Sequence, residues 1–195
     1  MPSLVDDVDW PIRTKGLVLR PATVDDVEST WRIRQLESVS RWLTRGPQEL
    51  ETYRRQFTDP ESLAKSLIIE CEGEVIGDLM VAIGDAWSQA EVEDQARAVQ
   101  ADLGWTIHPD AGGRGLATEA VREVLRICFE DLRLRRVTAE CFAANESSWR
   151  LMERVGMRRE AHNVRDSLHR SGEWLDGYGY ALLAEEWRSG PTNVT

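Results

Sequence analysis

A chain of 195 residues fits one ordinary domain, expected to span 1–195 with a core from about 16 to 187 and short flexible termini. Hydrophobic residues at 42% and charged residues at 30% exclude a disordered segment and a disulfide-dependent miniprotein. A net charge of −10 repels phosphates at long range and so excludes broad nucleic-acid binding; it favours cationic partners only mildly, since acidity also serves solubility.

The N-terminal stretch MPSLVDDVDWPIRTKG is acidic and lacks the basic and apolar regions of a signal peptide, and no apolar run reaches membrane-span length. A cytoplasmic protein, with no membrane partner, is the expectation. GLVLRPATVDD predicts a short strand, a turn at Pro21 and a helix capped by Thr23 that runs to about Leu36. PQELETYRRQF predicts a second helix, with Pro47 in its first turn. SLIIECEGEVIGDLMVAI gives two strands around Gly73, an antiparallel hairpin.

Residues 84–100 carry acids and small residues without a strand pattern and predict a long loop with a short helix. Glu91, Glu93 and Asp94 there could draw in a cationic amine, but a solvated loop explains the same residues and is the preferred reading. ADLGWTIHP resumes as a strand whose Gly104 marks a bulge or a close approach by a ligand. GLATEAVREVLRICFEDL then places Leu116, Ala120, Val124 and Ile127 on one helical stripe. RRVTAECFA is a strand, NESSWRLMERVG a short helix ended by Gly156, and the segment from Met157 to Trp187 a closing hairpin. Strands and helices mixed with several hairpins predict an α+β sheet.

The most informative stretch is HPDAGGRGLATEA, which sets Gly112, Gly113 and Gly115 directly before a helix. Glycine lets backbone approach a ligand, and a helix start offers unpaired N–H groups and a positive dipole end, so the pair suits a phosphate, with Arg114 adding charge. A turn that merely joins strand to helix accounts for the same glycines. No GK[ST] follows, so this is not a P-loop, and the spacing is not that of a dinucleotide-binding turn.

The stretch resembles the acetyl-CoA motif (Q/R)-x-x-G-x-(G/A) of the GCN5-related N-acetyltransferases. Gly115 and Ala117 match, while Gly112 stands where Gln or Arg is usual. NESSWRLMERVGMRREA resembles the helix after the fifth strand in the ribosomal-protein N-terminal acetyltransferase (RimJ/RimL-like) subgroup through Asn145, Ser148 and Gly156, with Met157 in place of Phe. EVIGDLMV, ADLGWTIHP and GEWLDGYGYALLAEEW resemble that subgroup's third and fourth strands and closing hairpin. The resemblance covers roughly Gly16 to Trp187.

It implies a central mixed, mostly antiparallel sheet of roughly six or seven strands, flanked by about four helices and splayed between the fourth and fifth strands. It implies acetyl-CoA, or another acyl-CoA, as co-substrate. The pantetheine arm is then expected along Gly104 to Ile107 and the pyrophosphate on the N–H groups of Gly113 to Thr118. The implied binding residues are Ile107, His108, Gly113, Arg114, Gly115, Leu116, Ala117, Thr118 and Asn145.

Acyl transfer needs a neutral amine to attack and a thiolate to leave. An α-amino group titrates near 7.7–8.0 and a lysine amine near 10.4, so the first needs less help from a base. Asp102 stands near the carboxylate common in the family and is the expected base, against the alternative of a strand residue in an ion pair. Ser148 is the expected acid, against the alternative of a helix cap. The tyrosine that serves as acid in other branches corresponds to Met152. Orientation of two substrates can also carry much of the rate.

The acceptor implied first is the α-amino group of a protein or peptide, and second a small cationic amine such as an aminoglycoside or polyamine. Trp31, Trp42, Trp87 and Trp149 could line its pocket, or simply pack. A sensor or structural subunit that binds acyl-CoA without turnover is the alternative of another class. A homodimer follows from the resemblance alone. His108, His162 and His169 lack metal-ligand spacing, so no metal is expected, and Cys71, Cys128 and Cys141 read as buried free thiols.

Overall fold

The computed structural model describes residues 4–189; residues 1–3 and 190–195, with the expectation about the extreme termini, lie outside the described residues. Eight strands are present among the described residues, in the order β1-β2-β3-β4-β5-β6-β8-β7. The chain-order elements are β1 (Ile12–Arg13), β2 (Val18–Pro21), α1 (Val27–Gln35), α2 (Glu37–Ser40), α3 (Leu50–Phe57), α4 (Pro60–Ala64), β3 (Ser66–Cys71), β4 (Glu74–Gly84), β5 (Gln100–Ile107), α5 (Leu116–Arg126), β6 (Arg136–Phe142), α6 (Glu146–Arg154), β7 (Arg158–Leu168), β8 (Trp174–Leu183) and α7 (Ala184–Ser189). The sheet is mixed and mostly antiparallel, as expected, with β5 and β6 parallel. Its count exceeds the expected six or seven through the two-residue β1, too short to leave a sequence pattern.

The chain divides into two compact units: residues 4–81 with 104–123, and residues 82–103 with 124–189. In the first unit, β3 and β4 meet at Glu72 and Gly73, both at positive φ, which makes the tight turn that Gly73 signalled. Ala22, Val27, Phe57 and Ile68 form a buried cluster with Leu50, Tyr53, Leu63 and Val75 packed against it, joining α1, α3 and α4 to the strands. Asp26 ties the start of α1 by accepting from the backbone N–H and the hydroxyl of Thr23 at 2.8 and 3.0 Å. α3 begins at Leu50, three residues later than Pro47 suggested, because the Gln48 carbonyl accepts from the indole of Trp31 at 2.8 Å and from Gln35 at 3.2 Å and so holds the chain extended.

This unit also buries an ion pair. Arg34 donates to Asp78 at 2.5 Å, leaving Arg34 Nε and Asp78 Oδ2 enclosed without a hydrogen-bond partner.

In the second unit, β6 pairs with β8 from Arg136↔Leu183 to Phe142↔Gly177, and β7 pairs with β8 across two register shifts, between Arg159 and Ala161 and between Asn163 and Ser167. The end of α5 passes into a π-helical turn, Ile127–Asp131, whose Ile127, Cys128 and Phe129 are buried. The closing segment predicted as hairpin to Trp187 ends its strand at Leu183 and becomes α7. Glu186 accepts the Leu183 N–H at 2.9 Å, a side-chain cap that an apolar-period reading misses, and Trp187 packs on Phe129 at 5.9 Å between ring centroids. The predicted loop between β4 and β5 contains one 3-10 turn, Ala90–Ala96, and is closed at its base by Asp85 accepting the Ala98 N–H at 2.7 Å.

Candidate active site

The glycine stretch lies wholly in the first unit. β5 ends at Ile107; His108 then caps a 3-10 turn, Pro109–Ala111, its Nδ1 accepting the Asp110 N–H at 3.2 Å, and its own N–H reaches the Ile76 carbonyl at 2.8 Å. The three glycines are required for two different reasons. A Cβ on Gly112 would meet the Pro109 carbonyl oxygen at 2.8 Å, whereas Gly113 and Gly115 sit at φ +73° and +79° with open space around them. The loop therefore turns twice through left-handed backbone and presents bare main chain just before Leu116 opens α5.

Leu116 is buried and anchors the helix, with Ala117 and Thr118 following in the first turn. Glu119, in the same turn, accepts from the Thr14 hydroxyl at 2.6 Å and the Gly16 N–H at 2.8 Å. Those bonds hold its carboxyl below the ordinary range. Arg114 leans on the hairpin turn, 3.9 Å from the Glu72 carboxylate and 4.0 Å from the Cys71 sulfur, and remains half-exposed.

The residues expected to do chemistry lie in the second unit, on opposite faces of its strands. Asp102 pairs with Thr138 in the parallel β5–β6 ladder and accepts from its hydroxyl at 3.1 Å. Burial pushes its carboxyl up, partly opposed by that bond, with Glu140 adding to the rise. Thr138 and Glu140 share a face, so Cys141, one residue on, belongs to the other. Ser148 stands with Cys141, since burial pushes the Cys141 thiol up to about 11, offset in part by a hydrogen bond from Ser148 and by the charge of Arg159. The register brings Asp102 to Thr138 and Ser148 to Cys141; it does not bring Asp102 and Ser148 to one face.

Asn145 precedes α6 and accepts from the Ser147 hydroxyl at 2.9 Å, and no side chain caps the start of that helix. Met152, at the position of the tyrosine of other branches, is buried in the core. Around Cys141 the structure gathers groups to which sequence reading assigned no catalytic role, Trp149 among them. Tyr178 pairs with Cys141 across β6–β8, and its ring meets Trp149, His162 and Tyr180 edge-on at 6.4, 5.1 and 6.5 Å. The Arg159 guanidinium lies 4.1 Å over Tyr178 and bonds the Tyr180 hydroxyl and Glu153. The alternating aromatics of GYGYALL were the available signal, but their face could not be assigned without register.

The remaining tryptophans have separate surroundings. Trp31 is tied to Gln48, Trp42 stacks with Arg41, and Trp87 stands 92% exposed in the β4–β5 loop. Among the described residues no group of three or more His, Cys, Asp or Glu could hold a metal, and no helix is long and apolar enough to cross a membrane. Cys71 and Cys128 are buried free thiols; Cys141 is half-buried.

Residues 16–158 match the model of the acetyltransferase (GNAT) domain family, and the chain belongs to that family. It is an N-acetyltransferase by this membership, in a family whose members draw the acetyl group from acetyl-CoA. Over 165 residues it is 28% identical to a Bacillus subtilis protein named "Putative ribosomal N-acetyltransferase YdaF", covering 80% of this chain and 83% of that one. It is 37% identical over 86 residues to the Bacillus subtilis "Uncharacterized N-acetyltransferase YnaD", a match that spans 44% of this chain and half the length of that relative. A GNAT-family acetyltransferase structure from Bacillus anthracis superposes with a TM-score of 0.75 at 26% identity, covering 90% of this chain and 99% of that one.

Proposed function

We propose that the protein transfers an acetyl group from acetyl-CoA to the α-amino group of a protein or peptide, within a single catalytic domain over 1–195. The observation that carries the acyl-CoA half is the pair of open left-handed glycines, Gly113 and Gly115, directly ahead of α5. In this reading the N–H groups of Gly113, Arg114, Gly115, Leu116, Ala117 and Thr118 receive the pyrophosphate, and Arg114 supplies the charge that Gly112 does not. Ile107, at the strand end, meets the pantetheine and His108 belongs to the phosphate loop; Asn145 has the role of fixing the pantetheine or the start of α6.

The reaction forms the amide C–N bond and breaks the thioester C–S bond. Ser148 gives its proton to the departing thiolate and recovers one from solvent. Two groups of the second unit can take the proton of the amine: Asp102, and a histidine argued below. A protein α-amino acceptor is supported by the relative named "Putative ribosomal N-acetyltransferase YdaF" and by the ordinary titration of such a group near pH 8, which leaves a far larger share of it neutral than of a lysine amine. A homodimer working in the cytoplasm completes the reading.

The test is calorimetric titration with acetyl-CoA, followed by thiol release with a peptide bearing a free N-terminus and with spermidine. Binding with turnover of the peptide is expected. Turnover of spermidine alone moves the acceptor to small polyamines. Binding with no thiol release leaves a CoA-binding subunit, and no binding overturns the reading altogether.

A further inference from the structure

His162 on β7 and Asp176 on β8 form a dyad that the acyl-transfer reading has not used. His162 Nε2 lies 2.7 Å from Asp176 Oδ2, and the other carboxylate oxygen, Oδ1, accepts the Arg165 N–H at 3.0 Å. Those two bonds hold Asp176 below the ordinary carboxylate range, so it stays an acceptor. A neutral imidazole facing a carboxylate carries its proton on the facing nitrogen, which leaves Nδ1 with a lone pair. Nδ1 has no hydrogen-bond partner among the described residues, and the side chain is 49% exposed.

The dyad is placed by a register device. Arg159 and His162, three residues apart, would face opposite ways in a regular strand. The shift between Arg159 and Ala161 pairs Arg159 with Tyr180 and His162 with Tyr178, so both lie on one face. Cys141, Tyr178 and His162 thus form a single row across β6, β8 and β7, a span of about 10 Å at ordinary strand spacing. Ser148 stands at the Cys141 end of that row, the Tyr178 ring is its floor, and His162 closes the other end.

Resting on the reading of Ser148 as the acid, we propose that His162, oriented by Asp176, is the general base that takes the proton of the acceptor amine at Nδ1. The acid and the base then share one face, which Ser148 and Asp102 do not. As the amine nitrogen bonds the acetyl carbon, its proton passes to His162 and later to solvent. The thiolate takes the Ser148 proton, so amine and acetyl-CoA become amide and CoA thiol with no further reactant. Asp176 is a positioning residue. Asp176 on β8 bonds the imidazole, Arg165 on β7 gives its N–H to Asp176, and Arg159 on β7, bonded to Glu153 on α6, lies over the Tyr178 ring that His162 also meets.

The experiment compares kcat/KM against pH for the parent, His162→Gln, Asp176→Asn and Asp102→Asn, using a free-N-terminus peptide and spermidine as acceptor probes, with acetyl-CoA affinity measured beside each. The expected result is a loss of roughly 100-fold in kcat for His162→Gln, with the acid-side limb of its profile gone and acetyl-CoA affinity within about threefold. Asp176→Asn should lose less and displace that limb, a change that an ion pair holding the edge strand would not cause. If His162→Gln keeps its rate and limb while Asp102→Asn loses both, the base is Asp102 and this inference falls alone. If the parent acetylates neither probe, the proposed function falls and the inference with it.

Discussion

The glycine loop of the first unit and the α6 corner of the second are built from opposite materials. The loop is main chain: two left-handed glycines with nothing near them and a third pressed on the Pro109 carbonyl. The corner is side chains: a serine on a half-buried thiol, a guanidinium stacked on tyrosine, and an imidazole held by a carboxylate. A backbone site is broken by anything that adds bulk or charge, whereas a side-chain site can lose one group and keep its shape.

The largest expected effect is therefore in the loop. Gly115→Asp puts a Cβ on left-handed backbone and a carboxylate where the proposed function places the pyrophosphate, and should weaken acetyl-CoA binding by more than about 100-fold in calorimetry. Retained affinity would return the glycines to the role of a turn. Next comes Ser148→Ala, expected to lower kcat roughly 10- to 100-fold while leaving acetyl-CoA affinity within about threefold, since a small hydroxyl is removed from a side-chain site. An equal fall in affinity would make Ser148 a binding group rather than an acid.

Gly112→Ala should be milder, a severalfold weakening together with about 1 kcal/mol of stability, because its Cβ must displace the Pro109 carbonyl but φ there is ordinary. Thermal melts with and without CoA separate the two effects. The smallest effect is expected at the outer edge of the second unit, where Glu160 binds Arg136 and Arg158. Hydrogen bonds from Arg136, aided by Arg158, pull its carboxyl down to about 2. A carboxyl lowered on folding stabilises above its unfolded value, near 4.3, and loses that contribution as pH falls toward 2. The melting temperature of Glu160→Gln should accordingly lie slightly below the parent's at pH 7, with the gap closing by about pH 2 and shrinking in high salt.

The loop was legible because its logic is local. Three glycines before an apolar helical stripe already state the φ requirement and the open helix start, and Gly73 states its hairpin in the same way. α7 and the late start of α3 were not legible, since each depends on one partner elsewhere: Glu186 capping Leu183, and Trp31 drawing the Gln48 carbonyl. The face of each strand residue was the harder loss. Alternation alone sends Arg159 and His162 apart, and only the pairing with β8 reveals the bulge that unites them.

By itself the sequence determined the α+β class, the family motif and the glycine loop ahead of α5, because helix stripes, tight turns and glycine conformations follow from residues close together in the chain. The tertiary structure decided which chemical groups share a face. It set Asp102 with Thr138, Ser148 with Cys141, and His162 with Asp176, because strand register and its bulges are fixed by hydrogen bonds between segments far apart in sequence.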